Sequence, residues 1–325
     1  MAARRAALRI ACLVDDDIAA ELRRSAATST RARYDLSVVL ALRRLYRDVE
    51  LVTACAGSVR TFDALDRLKP DVVFNLAYSA HPLEASFAGG LDVLGFPYTG
   101  SAPRGIALSR DKVRSRHLLR AASVPVPRFV ELLPRERIQV DLAPPLIVKP
   151  VSLAGSAGIY DDSVTTNVRD VPRLAKRIWQ RFGVAAMCEE FIVGRELRIG
   201  LVEDAHEVFR RTGITEWRFG TAAPGWGFKT EAVRTDRRVR LLRRVTRDII
   251  DLPRRELLEL TAIVRTATRA LDVRGYATVD LRVDERGRMS VLEVNANPGL
   301  WSGSPIWSTP AFDANIRRIV AAALR

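Results

Sequence analysis

Lysine is nearly missing from this chain of 325 residues: of 52 basic residues only Lys69, Lys112, Lys149, Lys176 and Lys229 are lysines, and the rest are arginines. The bias runs through the whole chain, so each surviving lysine marks a place where a compact ammonium suits better than a planar guanidinium. Cysteine and histidine are just as sparse. Cys12, Cys55 and Cys188 lie far apart and form no metal or redox motif, and His81, His117 and His206 are too few for a histidine-rich zinc site without carboxylate help. No apolar run approaches the roughly 18–20 residues of a membrane span. The opening "MAARRAALRIACLVDDD" carries Arg9 in a short apolar run that ends in three aspartates, which reads as a first strand rather than a leader. A cytoplasmic chain without a membrane partner is the expectation. The net charge of +14 would suit nucleic acid, but the arginines are scattered and no basic block is interleaved with aromatics. No recognition-helix or RNA-binding motif appears, so a nucleic-acid partner is set aside.

What is present is the composition of a globular protein, 48% hydrophobic and 28% charged, long enough for two or three subdomains. In the first hundred residues the apolar runs "ALRIACLV", "VELVTAC" and "DVVFNLA" alternate with the helical patterns "YDLSVVLALRRLYRD" and "PLEASFAGGLDVL". That order predicts βαβ units and a parallel sheet. "GFPYTGSAPRG" closes this part, and a helix "LSRDKVRSRHLLRAA" carries Lys112 near its start. Strands follow at "AAMCEEFI", "RELRIGLVED" and "EVFRRTGIT", and an amphipathic helix spans Pro253 to Leu271. The last third closes with a hairpin, "YATVDLRVDERGRMSVLEVNANPG".

Two stretches carry chemistry. In "LIVKPVSLAGSAGIY" a strand runs into Lys149 and then into a loop of small residues, whose backbone can approach a phosphate closely. The lysine precedes the glycines, so this is not the Walker pattern. On the hairpin, period-two alternation puts Thr278, Asp280 and Arg282 on one face, and Val291, Glu293 and Asn295 on one face of the returning strand. Asp280, Glu293 and Asn295 are thereby brought together, and two carboxylates with an amide oxygen suit a hard cation such as Mg²⁺.

With these pieces in order, the chain from about residue 71 onward resembles the ATP-grasp superfamily, in its D-alanine–D-alanine ligase branch. The resemblance rests on "DVVFNL", "LDVLGFPYTGS", "LSRDKVRSRHLLRAASVPVPRF", "LIVKPVSLAGSAGI", "CEEFIVGRELRIGLVED" and "RGYATVDLRVDERGRMSVLEVNANPGL". It implies an α/β fold, α+β toward the C-terminus. An N-terminal parallel-sheet domain (1–107) would precede two ATP-clamping subdomains (108–195 and 196–325). It implies ATP and magnesium, with two ions and Mn²⁺ as a substitute, small carboxylate and amine substrates of amino-acid type, and an acylphosphate intermediate. A homodimer is among the assemblies it allows. By resemblance Lys112 and Lys149 hold ATP phosphates, and the 152–158 loop with Gly155 and Ser156 covers them. Glu189 meets the adenine amino group, Ile192 the adenine edge and Glu196 the ribose. Asp280, Glu293 and Asn295 hold the metal, and Ser304 lies on the substrate side. An authentic D-alanine–D-alanine ligase and a non-catalytic nucleotide-binding protein are the alternatives.

The departures gather at the amino-acid sites. The arginine that the family carries two residues before the metal aspartate is here Thr278, with Arg282 on the same face as its candidate substitute. Gly155 replaces a loop serine. "GWGFKTEAVRTD" leaves Lys229 or Arg234 for the phosphate-covering role, and Asp17 or Glu21 for an amine. Retained chemistry with altered substrates is the expectation.

Overall fold

Residues Ile10 to Val14 are apolar without a break, which requires cover on both faces of any strand they form. They are the middle of β1 (Ala6–Asp15), which is paired in parallel with β2 (Tyr46–Ala54) and β3 (Val72–Asn75) in the order β2-β1-β3. One face packs on α1 (Asp16–Arg23) and α2 (Thr30–Leu45), the other on α3 (Arg60–Leu68) and α4 (Glu84–Val93). This computed structural model describes residues 6–23, 29–55, 59–77, 84–220, 226–300, 304–307 and 311–325. His81, residues 221–225 of the glycine-rich stretch and 301–303 lie outside the described residues.

The single helix expected around Lys112 is two: α5 (Pro103–Arg110) and α6 (Lys112–Ala121). Asp111 breaks them and caps the second, its side chain accepting from the Arg114 N–H at 2.9 Å. The expected domain limit at 107 therefore falls inside α5. Next come β4 (Phe129–Leu132), β5 (Leu146–Pro150), β6 (Val164–Thr165) and β7 (Ala186–Glu190), antiparallel in the order β4-β7-β5-β6. They are backed by α7 (Val171–Phe182), whose Leu174, Ala175 and Ile178 join their core.

The third sheet has the order β10-β9-β8-β11-β12, from β8 (Gly194–Glu203), β9 (Phe209–Arg218), β10 (Thr246–Ile249), β11 (Tyr276–Asp284) and β12 (Met289–Asn295). Short α8 (Glu231–Thr235) and α9 (Arg237–Leu242) connect β9 to β10, and α10 (Arg254–Ala270) packs behind. The closing α11 (Phe312–Ala323), which has no counterpart in the sequence reading, buries Ile316, Ile319 and Val320 with the β1–α2 cluster. It thus ties the end of the chain to its beginning.

One expectation on the hairpin is corrected. Asp280 pairs with Glu293, but Leu281 pairs with Val291, so Leu292 is an extra residue in the ladder. This bulge turns Val291 into the core and Leu292 toward the cleft. The Leu292 carbonyl accepts from Arg116.

Candidate active site

The second and third sheets face each other across a cavity of about 930 Å³. Lys149, at the end of β5, and Glu189, on β7, come from antiparallel neighbours in the second sheet. The Lys149 ammonium is bonded to one Glu189 oxygen, and the buried Arg116 of α6 donates to the other at 3.2 Å. Burial pushes the Lys149 ammonium below its ordinary range, against the pull of Glu189. The Glu189 carboxyl is drawn upward by burial, but Lys149 and Arg116 outweigh it and hold the group below the usual carboxylate range. Glu189 thus has both oxygens engaged, as the anchor of Lys149. Lys112 opens α6, donates to the Leu153 carbonyl of the loop, and lies 3.9 Å from Glu293. Burial lowers its pKa as well.

The loop is turned tightly, with Gly155 and Ser156 both in the left-handed region at φ +63°. Such turns bunch backbone N–H groups around an anion. Arg234 of α8 donates to the Gly155 carbonyl at 2.7 Å, and Glu231 accepts from the Gly158 N–H at 2.7 Å. A Cβ on Gly155 would lie 2.3 Å from the Arg234 guanidinium. Gly155 and Arg234 are therefore in direct contact. Of the two residues left for the phosphate-covering role, Arg234 is the one on the loop.

Register fixes the third sheet's floor as three rows on one face. The first is Arg247–Trp217–Glu196–Arg282, the second Thr215–Arg198–Asp280–Glu293, and the third Gly213–Gly200–Thr278–Asn295. Asp280, Glu293 and Asn295 meet as expected, with the Asn295 amide donating to Asp280 at 3.2 Å. Burial works to raise the Asp280 pKa, but Arg198, donating twice at 2.6 and 2.7 Å, holds it low. Among the described residues no group of three Asp, Glu, His or Cys gathers. The donor set is two carboxylates and an amide. Gly200 and Gly213 give the 304–307 segment room to lie on the sheet: a Cβ on Gly200 would be 2.9 Å from the Ile306 nitrogen. That seats Ser304 in the cleft wall, 1% exposed, its hydroxyl accepting from the Ile306 N–H at 3.3 Å.

Arg282 does not replace the arginine absent at Thr278. It lies in the first row, donating to the Ile192 carbonyl at 2.9 Å, to Gly227 at 2.6 Å and to Glu196 at 3.1 Å, over the Phe191 ring. It is a positioning residue for the Ile192–Glu196 wall. Thr278 is 1% exposed, and among the described residues its hydroxyl has no hydrogen-bond partner. The guanidinium nearest that place in the floor is Arg198, one strand over, which sequence reasoning missed. Its signal was the alternation in "RELR", which puts it on the Glu196 face. Asp17 is exposed on α1 and Glu21 accepts from the Ser29 N–H at 2.8 Å, and neither lines the cavity; Tyr34 and Asp35 of α2 do. Lys229 packs against the Trp217 ring at 5.1 Å.

Comparison with known proteins gives the family and the fold. The family model for the D-ala D-ala ligase C-terminus matches residues 118–310. A D-alanine–D-alanine ligase of Chromohalobacter salexigens is 32% identical over 264 residues, 79% of this chain and 78% of that protein. The Bacillus anthracis D-alanine–D-alanine ligase, solved in complex with ATP, superposes with a TM-score of 0.73 at 19% identity over 98% of both chains. The VanG D-Ala:D-Ser ligase of Enterococcus faecalis superposes with a TM-score of 0.70 at 16% identity, over 97% of this chain and 99% of that one.

Proposed function

As a member of the D-alanine–D-alanine ligase family, the chain is an ATP-grasp ligase that forms carbon–nitrogen bonds, and we propose that its cleft joins two amino-acid-like substrates through an acylphosphate. The observation that carries this reading is continuity: one cavity runs from Lys149 and the 153–157 loop past Asp280 and Glu293 to Thr278 and Ser304. The groups proposed for phosphoryl transfer and for the amino acids then share one cavity.

The chemistry needs that arrangement. A free carboxylate is a poor acyl donor, since oxide would have to leave; once phosphorylated, it loses phosphate instead. Lys112 and Lys149 offset the charge on the transferring phosphoryl group, and Arg234 with Glu231 holds the loop down so that water is kept from the acylphosphate. When the amine attacks, a tetrahedral oxyanion forms, and the buried Thr278 hydroxyl and Arg198 are the donors on that part of the floor. The donor set of Asp280, Glu293 and Asn295 fits Mg²⁺: two carboxylates face each other in a half-buried floor, and the amide oxygen of Asn295 is left over when its nitrogen meets Asp280. Held by these residues, a magnesium ion would supply Lewis-acid stabilisation of phosphoryl oxygens. Two ions, replacement by Mn²⁺, a cytoplasmic location and the three-lobe division at 107 and 195 belong to the same reading. Among the described residues no helix is long and apolar enough to cross a membrane.

The substrate pair is read as altered from two D-alanines, because the departures cluster around Thr278 while the nucleotide residues stand. A fold neighbour that is a D-Ala:D-Ser ligase makes a changed amine compatible with this architecture. The test is phosphate release from ATP and Mg²⁺ across D- and L-amino acids and other amines, with product masses. Efficient turnover of D-alanine alone would assign an authentic D-alanine–D-alanine ligase. ATP binding without turnover of any pair would assign a non-catalytic protein.

A further inference from the structure

Asp280 is an acid of the metal floor, yet both of its oxygens are already engaged. The Arg198 Nε donates to one oxygen at 2.6 Å, and a terminal guanidinium nitrogen donates to the other at 2.7 Å. The Asn295 amide adds a bond of 3.2 Å to the second oxygen. Register makes the fork: Arg198 of β8 stands directly opposite Asp280 of β11, and Glu293 of β12 lies on the other side of Asp280. Both members are largely out of water, with 17% of the Arg198 side chain and 12% of the Asp280 side chain exposed. A bidentate guanidinium–carboxylate pair is among the stronger and geometrically more specific contacts in proteins. A partner that merely orients a metal-binding carboxylate leaves an oxygen open to the ion; Arg198 and Asn295 leave neither without a hydrogen bond.

The charges nearby act in the same direction. Lys112 lies 3.9 Å from Glu293, and the electrostatic neighbours of Lys229 are Arg198, Asp280, Glu196 and Glu293. Glu196 is itself paired with Arg282. Asp280 and Glu293 therefore face Arg198, Lys112 and Lys229, and the floor is cationic in balance. A bare divalent cation would enter against that charge and would have to take Asp280 from a hydrogen-bonded fork. A cation already held by a triphosphate brings its own negative charge, and Mg²⁺ is commonly bound by one or two carboxylates together with phosphate oxygens.

We infer that Arg198 is an internal counter-ion that stands in for the metal on Asp280, so that the floor rejects a free divalent cation and takes one up together with the nucleotide. The inference rests on the reading of Asp280, Glu293 and Asn295 as metal ligands and names what controls their loading. Arg198 is in this respect a positioning residue for Asp280. It keeps two facing carboxylates from repelling each other, and it yields an oxygen when a nucleotide-borne cation takes its place.

The test reads cation binding rather than turnover. Mn²⁺ electron paramagnetic resonance and Mg²⁺ calorimetry on the full chain without nucleotide compare the unaltered protein with Arg198→Gln, Arg198→Lys and Lys229→Gln, and circular dichroism checks each fold. Removing a charge-assisted fork from one ligand corresponds to about tenfold or more in affinity. Arg198→Gln should tighten nucleotide-free binding by that factor, and Arg198→Lys by less, because an ammonium still competes for one oxygen. Lys229→Gln takes the same charge from the floor without a hydrogen bond to Asp280 being lost, and should tighten binding least. A non-hydrolysable ATP analogue should shrink the difference between Arg198→Gln and the unaltered protein. Unchanged or weaker binding in Arg198→Gln would overturn the inference, since loss of a partner that only orients a ligand lowers metal affinity by about 10–100-fold. Equal tightening in Lys229→Gln would overturn it as well, by assigning the effect to overall charge. The gain should vanish when Asp280→Asn is added to Arg198→Gln. A gain that persists there would count against Asp280 as a metal ligand, and so against the reading beneath the inference, whereas the other overturning outcomes leave that reading intact.

Discussion

At the end of the cleft proposed for the nucleotide, Lys112, Lys149, Arg116 and Arg234 each have a partner within the fold. Lys149 and Arg116 share Glu189, Lys112 reaches the Leu153 carbonyl, and Arg234 is spent on Gly155. At the β9–β10 edge Lys229 and Arg247 lean on Trp217 instead. The first end is preorganised, its charges held at fixed places before a ligand arrives. The second sets its cations against an aromatic ring. The difference teaches where substitutions couple: side chains that share one hydrogen-bonded network lose more than their own contact when a member is removed.

The largest expected effect breaks the first end at the metal floor. Glu293→Gln should lower kcat by on the order of 10³-fold with the fold intact, read by phosphate release and circular dichroism, as expected for loss of one transition-state-stabilising group. Near-normal activity would refute the assignment of Glu293. Next is Lys149→Met, which should lower activity by about 10²-fold. Because it also leaves Glu189 with a single buried partner, it should cost about 3 kcal/mol of stability in urea without nucleotide; an unchanged midpoint would show that the Lys149–Glu189 pair is not structural.

A smaller effect sharpens the contrast at the lid. Gly155→Ser should be harmful alone, since the residue is left-handed and its Cβ would strike Arg234. In Arg234→Ala the clash is gone, so the double-mutant cycle should show a coupling of about 1 kcal/mol in kcat/KM for ATP. Additive costs would separate the two positions. The smallest effect is on pH dependence. Glu189 is held below the ordinary carboxylate range in the folded chain, so its contribution is complete above about pH 4.3, the unfolded value, and is lost as pH falls through the folded one. Removing one of its cations in Arg116→Met should flatten the acid limb of a urea-midpoint profile, and an unaltered limb would place the acid sensitivity elsewhere.

The elements were legible where one period dominated: the parallel strands of the first hundred residues, the amphipathic α10 and the β11–β12 hairpin. The residues proposed to hold the nucleotide could be picked out as candidates because they lie on short local patterns, a strand ending in Lys149 and a small-residue loop. Arg198 and the Trp217–Arg247 pair could not. They are separated in sequence by other strands and become neighbours only through register, so each read as one more arginine or one more aromatic in an arginine-rich chain. Val291 was misplaced for a related reason, since a bulge at Leu292 shifts the alternation by one and nothing in the apolar run Val291–Leu292 marks which residue is extra.

By itself the sequence determined which residues are the candidates for holding a phosphate and a hard cation, since local spacing puts a lysine at a strand end and two acids on facing strands. Only the tertiary structure decided which of its many arginines take part. A guanidinium's role depends on the partner it meets and on how much water is removed from both. That put Arg282 against the Ile192 carbonyl, Arg198 on Asp280, and Arg247 over the Trp217 ring.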